Sequence, residues 1–181
     1  MNEELKVLEI VTQRLDKANI PYMITGSIAL NYYATPRMTR DLDIVIELKQ
    51  PDVTTLLNLF QTDFYIDEDM ILTAINDHGM FNIIHNEWVF KVDFIVRKHS
   101  EYHQSEFDRR KRVKLKNFEF WIVSPEDLIL SKLQWAKDSM SDLQLRDVNN
   151  LLKSVEDLNI DLIEKWVQKL NLEILYQKTQ S

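Results

Sequence analysis

"MITGSIALNYYATPRMTRDLDIVIEL", residues 23–48, decides how the chain is read. The 181 residues contain two glycines, and one of them, Gly26, stands here beside Ser27. Immediately before it, "PYMITG" reads as a short strand over residues 21–26, and "SIALNYYA" as a helix beginning near Ser27. "DLDIVIEL" then alternates with a period of two, which puts Leu42, Ile44, Ile46 and Leu48 on one face of a strand and Asp41, Asp43, Val45 and Glu47 on the other. Two carboxylates thus share one face of an otherwise apolar strand, downstream of a glycine that opens a helix.

Outward from this block the chain alternates helices and strands. Leu5, Leu8, Val11 and Leu15 recur at helical spacing over residues 4–18, so an amphipathic helix covers one face of the sheet. Pro51 suits the first turn of the helix in "PDVTTLLNLF", and "DEDMILTAINDHG" gives another helix for Gly79 to terminate. "MFNIIH" and "WVFKVDFIV" read as strands joined by the turn-like "NE", and one more strand is expected around residues 118–123. From Ser124 the pattern is helical. In "SPED", Ser124 caps, Pro125 occupies the first position, and Glu126 and Asp127 favour the positive helix end. Helices follow at residues 125–138, 142–154 and 160–170. The fold class is α/β (α+β): a mixed sheet flanked by helices over residues 1–123, with a C-terminal helical part over residues 124–181 that forms one side of a cleft.

Composition narrows the function classes. With 45% hydrophobic and 28% charged residues, the chain is neither disordered nor collagen-like. No apolar run reaches a membrane span and the N-terminus lacks a secretion signal, so the expectation is a cytoplasmic protein with no membrane partner. The absence of cysteine removes disulfides, thiol catalysis and cysteine metal sites. A net charge of -7 argues against coating nucleic acid by charge alone. Residues 97–116 are locally basic, with Arg109, Arg110, Lys111, Arg112, Lys114 and Lys116, and read either as a solvated connector or as a phosphate-attracting surface.

Asp41 and Asp43, with Asp93 in "FKVDFIV" on a neighbouring strand, would form a set of three carboxylates. Without a cation such a set is self-repulsive; Mg²⁺ balances it and leaves positions for phosphate oxygens, which points to phosphoryl or nucleotidyl transfer. The alternative is acidic residues at a strand mouth. Gly26 and Ser27 suit a phosphate cradle at a helix start, or an ordinary turn and cap. Arg37 reads as a bidentate phosphate clamp or as a loop charge, and Arg40 as a loop charge or salt-bridge partner. Lys132 lies close to an apolar helical stripe with Ile129, Leu133 and Ala136, where its ammonium either meets donor phosphates or snorkels to water.

"GSIALNYYATPRMTRDLDIVIE" resembles the signature of the nucleotidyltransferase superfamily, in which a strand ends at Gly-Ser or Gly-Gly, a short helix follows, and the next strand carries Asp-x-Asp. It is most similar to small prokaryotic branches, the abortive-infection type toxin nucleotidyltransferases and the lincosamide nucleotidyltransferases. The resemblance implies that residues 1–123 are a catalytic domain, that Gly26 and Ser27 bind triphosphate, and that Asp41, Asp43 and Asp93 are catalytic and hold Mg²⁺, with Mn²⁺ as the alternative. "PRMTRD" resembles the Arg-x-Thr-x-Asp approach and brings Arg37 and Thr39 to the nucleotide. "DLILSKL" carries Lys132 over as a phosphate contact, and "LRDVNNLL" retains Arg146 and Asp147 with Asn150 in place of a second acid; Asp147 is expected to position Arg146 or an acceptor.

A nucleoside triphosphate is therefore the expected donor. The acceptor stays open between RNA, protein and a small molecule, and a partner antitoxin or a homo-oligomer also stays open. A catalytically silent nucleotide-binding module and a partner-binding protein of a toxin–antitoxin pair are the competing classes. The four histidines, at positions 78, 85, 99 and 103, form no metal motif and read as exposed or singly bonded. Trp121 and Trp135 read as interface or core aromatics, and one of Tyr32 and Tyr33 as packing inward.

Overall fold

A computed structural model describes residues 3–39 and 41–180 of the protein; Arg40 lies outside the described residues. Helix α1, Glu3–Lys17, starts on acids, ends on bases, and buries Val7, Leu8, Val11 and Leu15. Strand β1, Tyr22–Thr25, is buried throughout, helix α2 is Gly26–Tyr33, and strand β2 is Asp41–Ile46 with the expected alternation of half-buried and buried residues. A 3₁₀ turn at Gln50–Asp52, with Pro51 in its first positions, leads into α3, Val53–Phe60. Then come β3, Phe64–Tyr65; α4, Glu68–Asp77; β4, Met80–His85; and β5, Lys91–Val96. Helix α5, Glu101–Asp108, precedes the hairpin of β6, Lys111–Leu115, and β7, Phe118–Ile122. Helices α6, Pro125–Ser139, α7, Asp142–Ser154, α8, Ile160–Lys169, and α9, Glu173–Gln180, complete the chain.

The strands form one mixed sheet in the order β3-β4-β5-β2-β1-β7-β6. At its centre β2 runs antiparallel to β1 and parallel to β5. Leu42, Ile44 and Ile46 point into the core, and the register puts Phe94 beside Ile44, where Phe60 of α3 meets it at 6.2 Å. Arg14 of α1 lies over the Phe60 ring and is tied bidentately to Asp63, so α1 and α3 pack together on that face. Asp41, Asp43 and Val45 point to the opposite face, where α2 packs on β1 and β2 and also contacts α6 and α7.

The basic segment is not a connector. Residues 101–108 are helical and 111–115 form the edge strand β6, whose charged side chains lie in water and discourage pairing with another sheet. None of its five residues is buried, so its hydrophobic alternation is faint in sequence. Several of its cations are committed internally: Arg112 is bidentate to Asp16 at 2.9–3.0 Å, and Arg109 to Asp127 at 2.6–2.9 Å. Arg110 lies over Phe107 and Trp121. Helix α4 also departs from expectation at its end. His78, with φ 48°, takes the left-handed position expected of Gly79, and the Gly79 amide follows by donating to Ala74 O at 2.9 Å. The strand expected from Trp88 starts only at Lys91, after Val89 at φ 52°. The short strand β3 and helix α9 have no counterpart in the sequence reading. No helix among the described residues is long and apolar enough to cross a membrane.

Ser124 caps α6 as its sequence predicts. It accepts from Asp127 N at 3.1 Å and donates to Asp127 Oδ2 at 2.7 Å, holding a fully buried carboxylate that also receives Arg109. Ser124→Ala is expected to cost about 1–2 kcal/mol, lowering the melting temperature by roughly 2–8 °C for a chain of this size. An unchanged melting curve would contradict this role for the cap.

Candidate active site

The site begins where β1 ends. Gly26 has φ +62°, and a Cβ built there would lie 2.0 Å from Asp43 Oδ2 and 2.7 Å from its Cγ. A side chain at position 26 is therefore excluded both by backbone conformation and by the carboxylate packed against it. Thr25 is the antiparallel register partner of Asp43, which in turn stands opposite Asp93 on β5. The three expected aspartates consequently occupy adjacent strands on one face of the sheet.

The following loop is pinned by a side chain with no assigned part in the sequence reading. Asn31 Nδ2 donates to Arg37 O and Asn31 Oδ1 accepts from Arg37 N, both at 2.9 Å. Arg37 is thereby aimed inward: Nη2 donates to Ser27 Oγ at 2.8 Å, and Nε and Nη2 reach the two Asp147 oxygens at 3.2 and 3.0 Å. Thr39 Oγ1 donates to Asp41 Oδ1 at 2.9 Å, so it touches the carboxylate set directly.

Across the cavity Lys132 is buried on α6 and donates to Asp147 Oδ2 at 2.7 Å and to Gln144 Oε1 at 3.2 Å. Lys132 therefore does not snorkel to water. Asp147 is 3% exposed, yet it positions neither Arg146 nor an open acceptor site: it is the shared counter-ion of Arg37 and Lys132. Arg146 instead lines a separate 360 Å³ groove with Asp142, Asn149 and Lys178. Asn150, where the resemblance expects an acid, donates to Thr35 O at 3.0 Å and ties α7 to the loop that carries Arg37.

Electrostatics set the character of this corner. Burial, reinforced by Asp41 and Asp93, pushes the Asp43 carboxyl up to about 6, against the opposing fields of Lys132 and Lys91. Burial lowers Lys132, with Asp147 opposing. Lys91 Nζ lies 2.7 Å from Asp93 Oδ2 and 3.8 Å from Asp41 Oδ2, and its hydrogen bond to Asp93 raises its own pKa. The ammonium thus stands among the carboxylates as a built-in partial counter-charge. The period-two pattern of "KVD" carries that signal, because Lys91 and Asp93 share a strand face.

Among the described residues no three acid or imidazole side chains are already closed around one point as metal ligands. The set nevertheless fits a hard divalent cation chemically. Asp41 and Asp43, with Asp93, are oxygen donors on neighbouring positions, and a cation would relieve both the burial and the like-charge repulsion that raise Asp43.

These residues open into a cavity of about 760 Å³, lined by Gly26, Ser27, all three aspartates and Lys132 at one end. Val45, Ile95, Trp135, His78, His103 and Glu106 line the rest of it. His85 is buried in the β4–β5 turn, accepting from the Glu87 and Trp88 amides and stacked on Trp88 at 4.1 Å, so of the two settings expected of it, exposed or hydrogen-bonded, it takes the second. Tyr33 turns inward and donates to Val123 O at 2.8 Å.

This architecture is a nucleotidyltransferase-like fold. It resembles the solution structure of the antibiotic-resistance factor ANT(2'')-Ia, with a TM-score of 0.64 at 11% identity over 98% of each chain. It also resembles the antigenic nucleotidyltransferase-like protein from Paracoccidioides brasiliensis, with a TM-score of 0.57 at 19% identity over 97% of this chain and 93% of that one. The lincomycin-bound lincosamide antibiotic adenylyltransferase LnuA gives 0.58 at 15% identity, over 86% of this chain and 99% of that one. Residues 4–175 match the family described as "Nucleotidyl transferase of unknown function (DUF2204)", and the chain belongs to it. No curated protein matches it significantly in sequence.

Proposed function

We propose that the protein is a cytoplasmic, Mg²⁺-dependent nucleotidyltransferase that moves a nucleoside monophosphate from a nucleoside triphosphate to a nucleophilic acceptor and releases pyrophosphate. The observation that carries this reading is the convergence on one cavity of Gly26 fitted against Asp43, Asp43 opposite Asp93, and Lys132, to which Arg37 is joined through their shared Asp147. Residues 1–123 would hold the donor and residues 124–181 the opposite wall.

Asp41, Asp43 and Asp93 are the residues that would hold Mg²⁺ or Mn²⁺. The bound ion supplies charge neutralisation for the triphosphate and a lowered pKa for the attacking hydroxyl. Gly26 leaves room for phosphate oxygens at the start of α2, and Ser27 Oγ offers them a hydrogen bond. Arg37 and Lys132 contact the triphosphate by turning partly from Asp147, which keeps both cations oriented before substrate arrives. The acceptor oxygen or nitrogen forms a bond to the α-phosphorus as the bond to the bridging oxygen breaks; pyrophosphate carries away that electron pair, and Asp93 receives the acceptor's proton. Thr39 holds Asp41 in place throughout.

The toxin-like and lincosamide-like branches remain the finer assignments that the sequence motifs favour, with an antitoxin or a second copy as partner in the former case. The silent nucleotide-binding reading draws support from Lys91, which neutralises part of the acid set without a metal. Label transfer separates the two. With Mg²⁺ and each α-³²P-labelled triphosphate, label is expected to move into the RNA, protein or small-molecule fraction of a cell extract. Lys132→Met should slow that transfer about 10²-fold. Nucleotide binding without label in any fraction would favour the silent reading.

A further inference from the structure

The cavity is longer than a triphosphate corner requires, and its far end contains an acid that nothing in the fold uses. Along β5, Ile95 lies two residues beyond Asp93, about 7 Å further along the strand, and Val45 lies beside it on β2. Both are only half buried and form an apolar floor. From α6, Trp135 and, one turn on, Asp138 also line the cavity, both exposed. The Trp135 ring has no ring or cation contact among the described residues.

Glu106 closes this end. It is 5% exposed, lines the cavity, and has no hydrogen bond or ion pair among the described residues. Arg109, the cation whose field reaches it, is committed bidentately to Asp127. Burial, and then Asp127, push the Glu106 carboxyl up to about 8. The other polar groups here are not paired with Glu106: Arg97 is paired with Glu47, His103 is held below its ordinary pKa by burial and then by Lys98 and Arg97, and Lys98, which lines the cavity and is exposed, makes no ion pair with Glu106. A buried carboxyl without a partner is costly unless a ligand completes it.

We propose that this half of the cavity binds a small molecule with a protonated amine on an apolar body, its ammonium received by Glu106, its body lying on Val45 and Ile95, and its outer face against Trp135. An anion would meet Glu106 and Asp138 while Arg97 and Lys132 stay paired with Glu47 and Asp147, leaving the exposed Lys98 to offset them, whereas a highly polar ligand would leave the floor and the Trp135 ring uncompensated. That the amine-bearing molecule is the acceptor rests on the transfer reaction proposed above; the binding site itself does not.

Three probes of similar shape and different charge test it: 2-phenylethylamine, 2-phenylethanol and phenylacetate, titrated into the full-length protein at pH 8 and followed by NMR. The amine is expected to bind at least about tenfold more tightly than the alcohol, and the carboxylate least of all. Glu106→Gln, nearly isosteric with the protonated acid, should erase the preference for amine over alcohol, and Trp135→Ala should weaken both. Equal binding of amine and carboxylate, binding of none of the three, or a preference that survives Glu106→Gln in the folded variant would overturn the proposal. Amine selectivity in a protein that binds no nucleotide would remove the transfer reading and leave this site standing; nucleotide binding without amine selectivity would do the reverse.

Discussion

Asp43→Asn is expected to make the metal-free protein more stable above pH 7 while eliminating Mg²⁺-dependent nucleotide binding. The Asp43 carboxyl is raised from 3.8 to about 6, by burial first and by Asp41 and Asp93 next. Because the folded pKa lies above the unfolded one, the native state binds more protons between these values, and stability falls as pH rises through the window from about 4 to 6. Above it the ionised side chain costs about 3 kcal/mol. Asparagine removes that cost, so the stability difference between variant and wild type should be near zero below pH 4 and fully developed by pH 7. Added Mg²⁺ should stabilise the wild type and not the variant. Thermal melts across pH, with and without Mg²⁺, check both halves. A variant less stable than wild type at pH 8 would mean that Asp43 serves the fold and not a cation.

Gly26→Ala is expected to be nearly as damaging to the site by a different route. An alanine at φ +62° costs about 1–2 kcal/mol, and its Cβ would overlap Asp43 Oδ2 at 2.0 Å, so the carboxylate must swing away. Destabilisation of about 2 kcal/mol or more should accompany loss of nucleotide binding. The coupling is specific. In an Asp43→Gly background all three contacts, at 2.0, 2.7 and 2.9 Å, no longer exist, and Gly26→Ala should then cost close to the backbone term alone. Additive losses in the double-mutant cycle would show that the tight fit between Gly26 and Asp43 does not carry the effect.

The fold was legible wherever burial imposed a period. The "DLDIVIEL" alternation is realised in β2, and the helices expected at residues 125–138, 142–154 and 160–170 occur at Pro125–Ser139, Asp142–Ser154 and Ile160–Lys169. β6 was illegible because an edge strand rich in Lys and Arg has little buried alternation to display, and its cations read more readily as a ligand surface than as partners for Asp16 and Asp127. Within the site, the aspartates, Gly26, Ser27 and Arg37 carried signals in local spacing. Their arrangement did not: Asp147 meets Arg37 across 110 positions, and Glu106 lies on a helix hidden inside the basic segment. Such pairings arise from the tertiary fold, and no local period encodes them. Lys91 was readable from the strand pattern, but its effect on Asp41 depends on the parallel register with β2.

The decisive measurement is a calorimetric titration of ATP, GTP, CTP and UTP into the wild type and into folded Asp43→Asn, each with and without Mg²⁺. At least one triphosphate should bind the wild type, with affinity at least about tenfold weaker when either Mg²⁺ or the Asp43 carboxylate is removed. Failure of all four to bind the wild type, or binding indifferent to both Mg²⁺ and Asp43, would contradict a metal-dependent nucleotide site built on these aspartates.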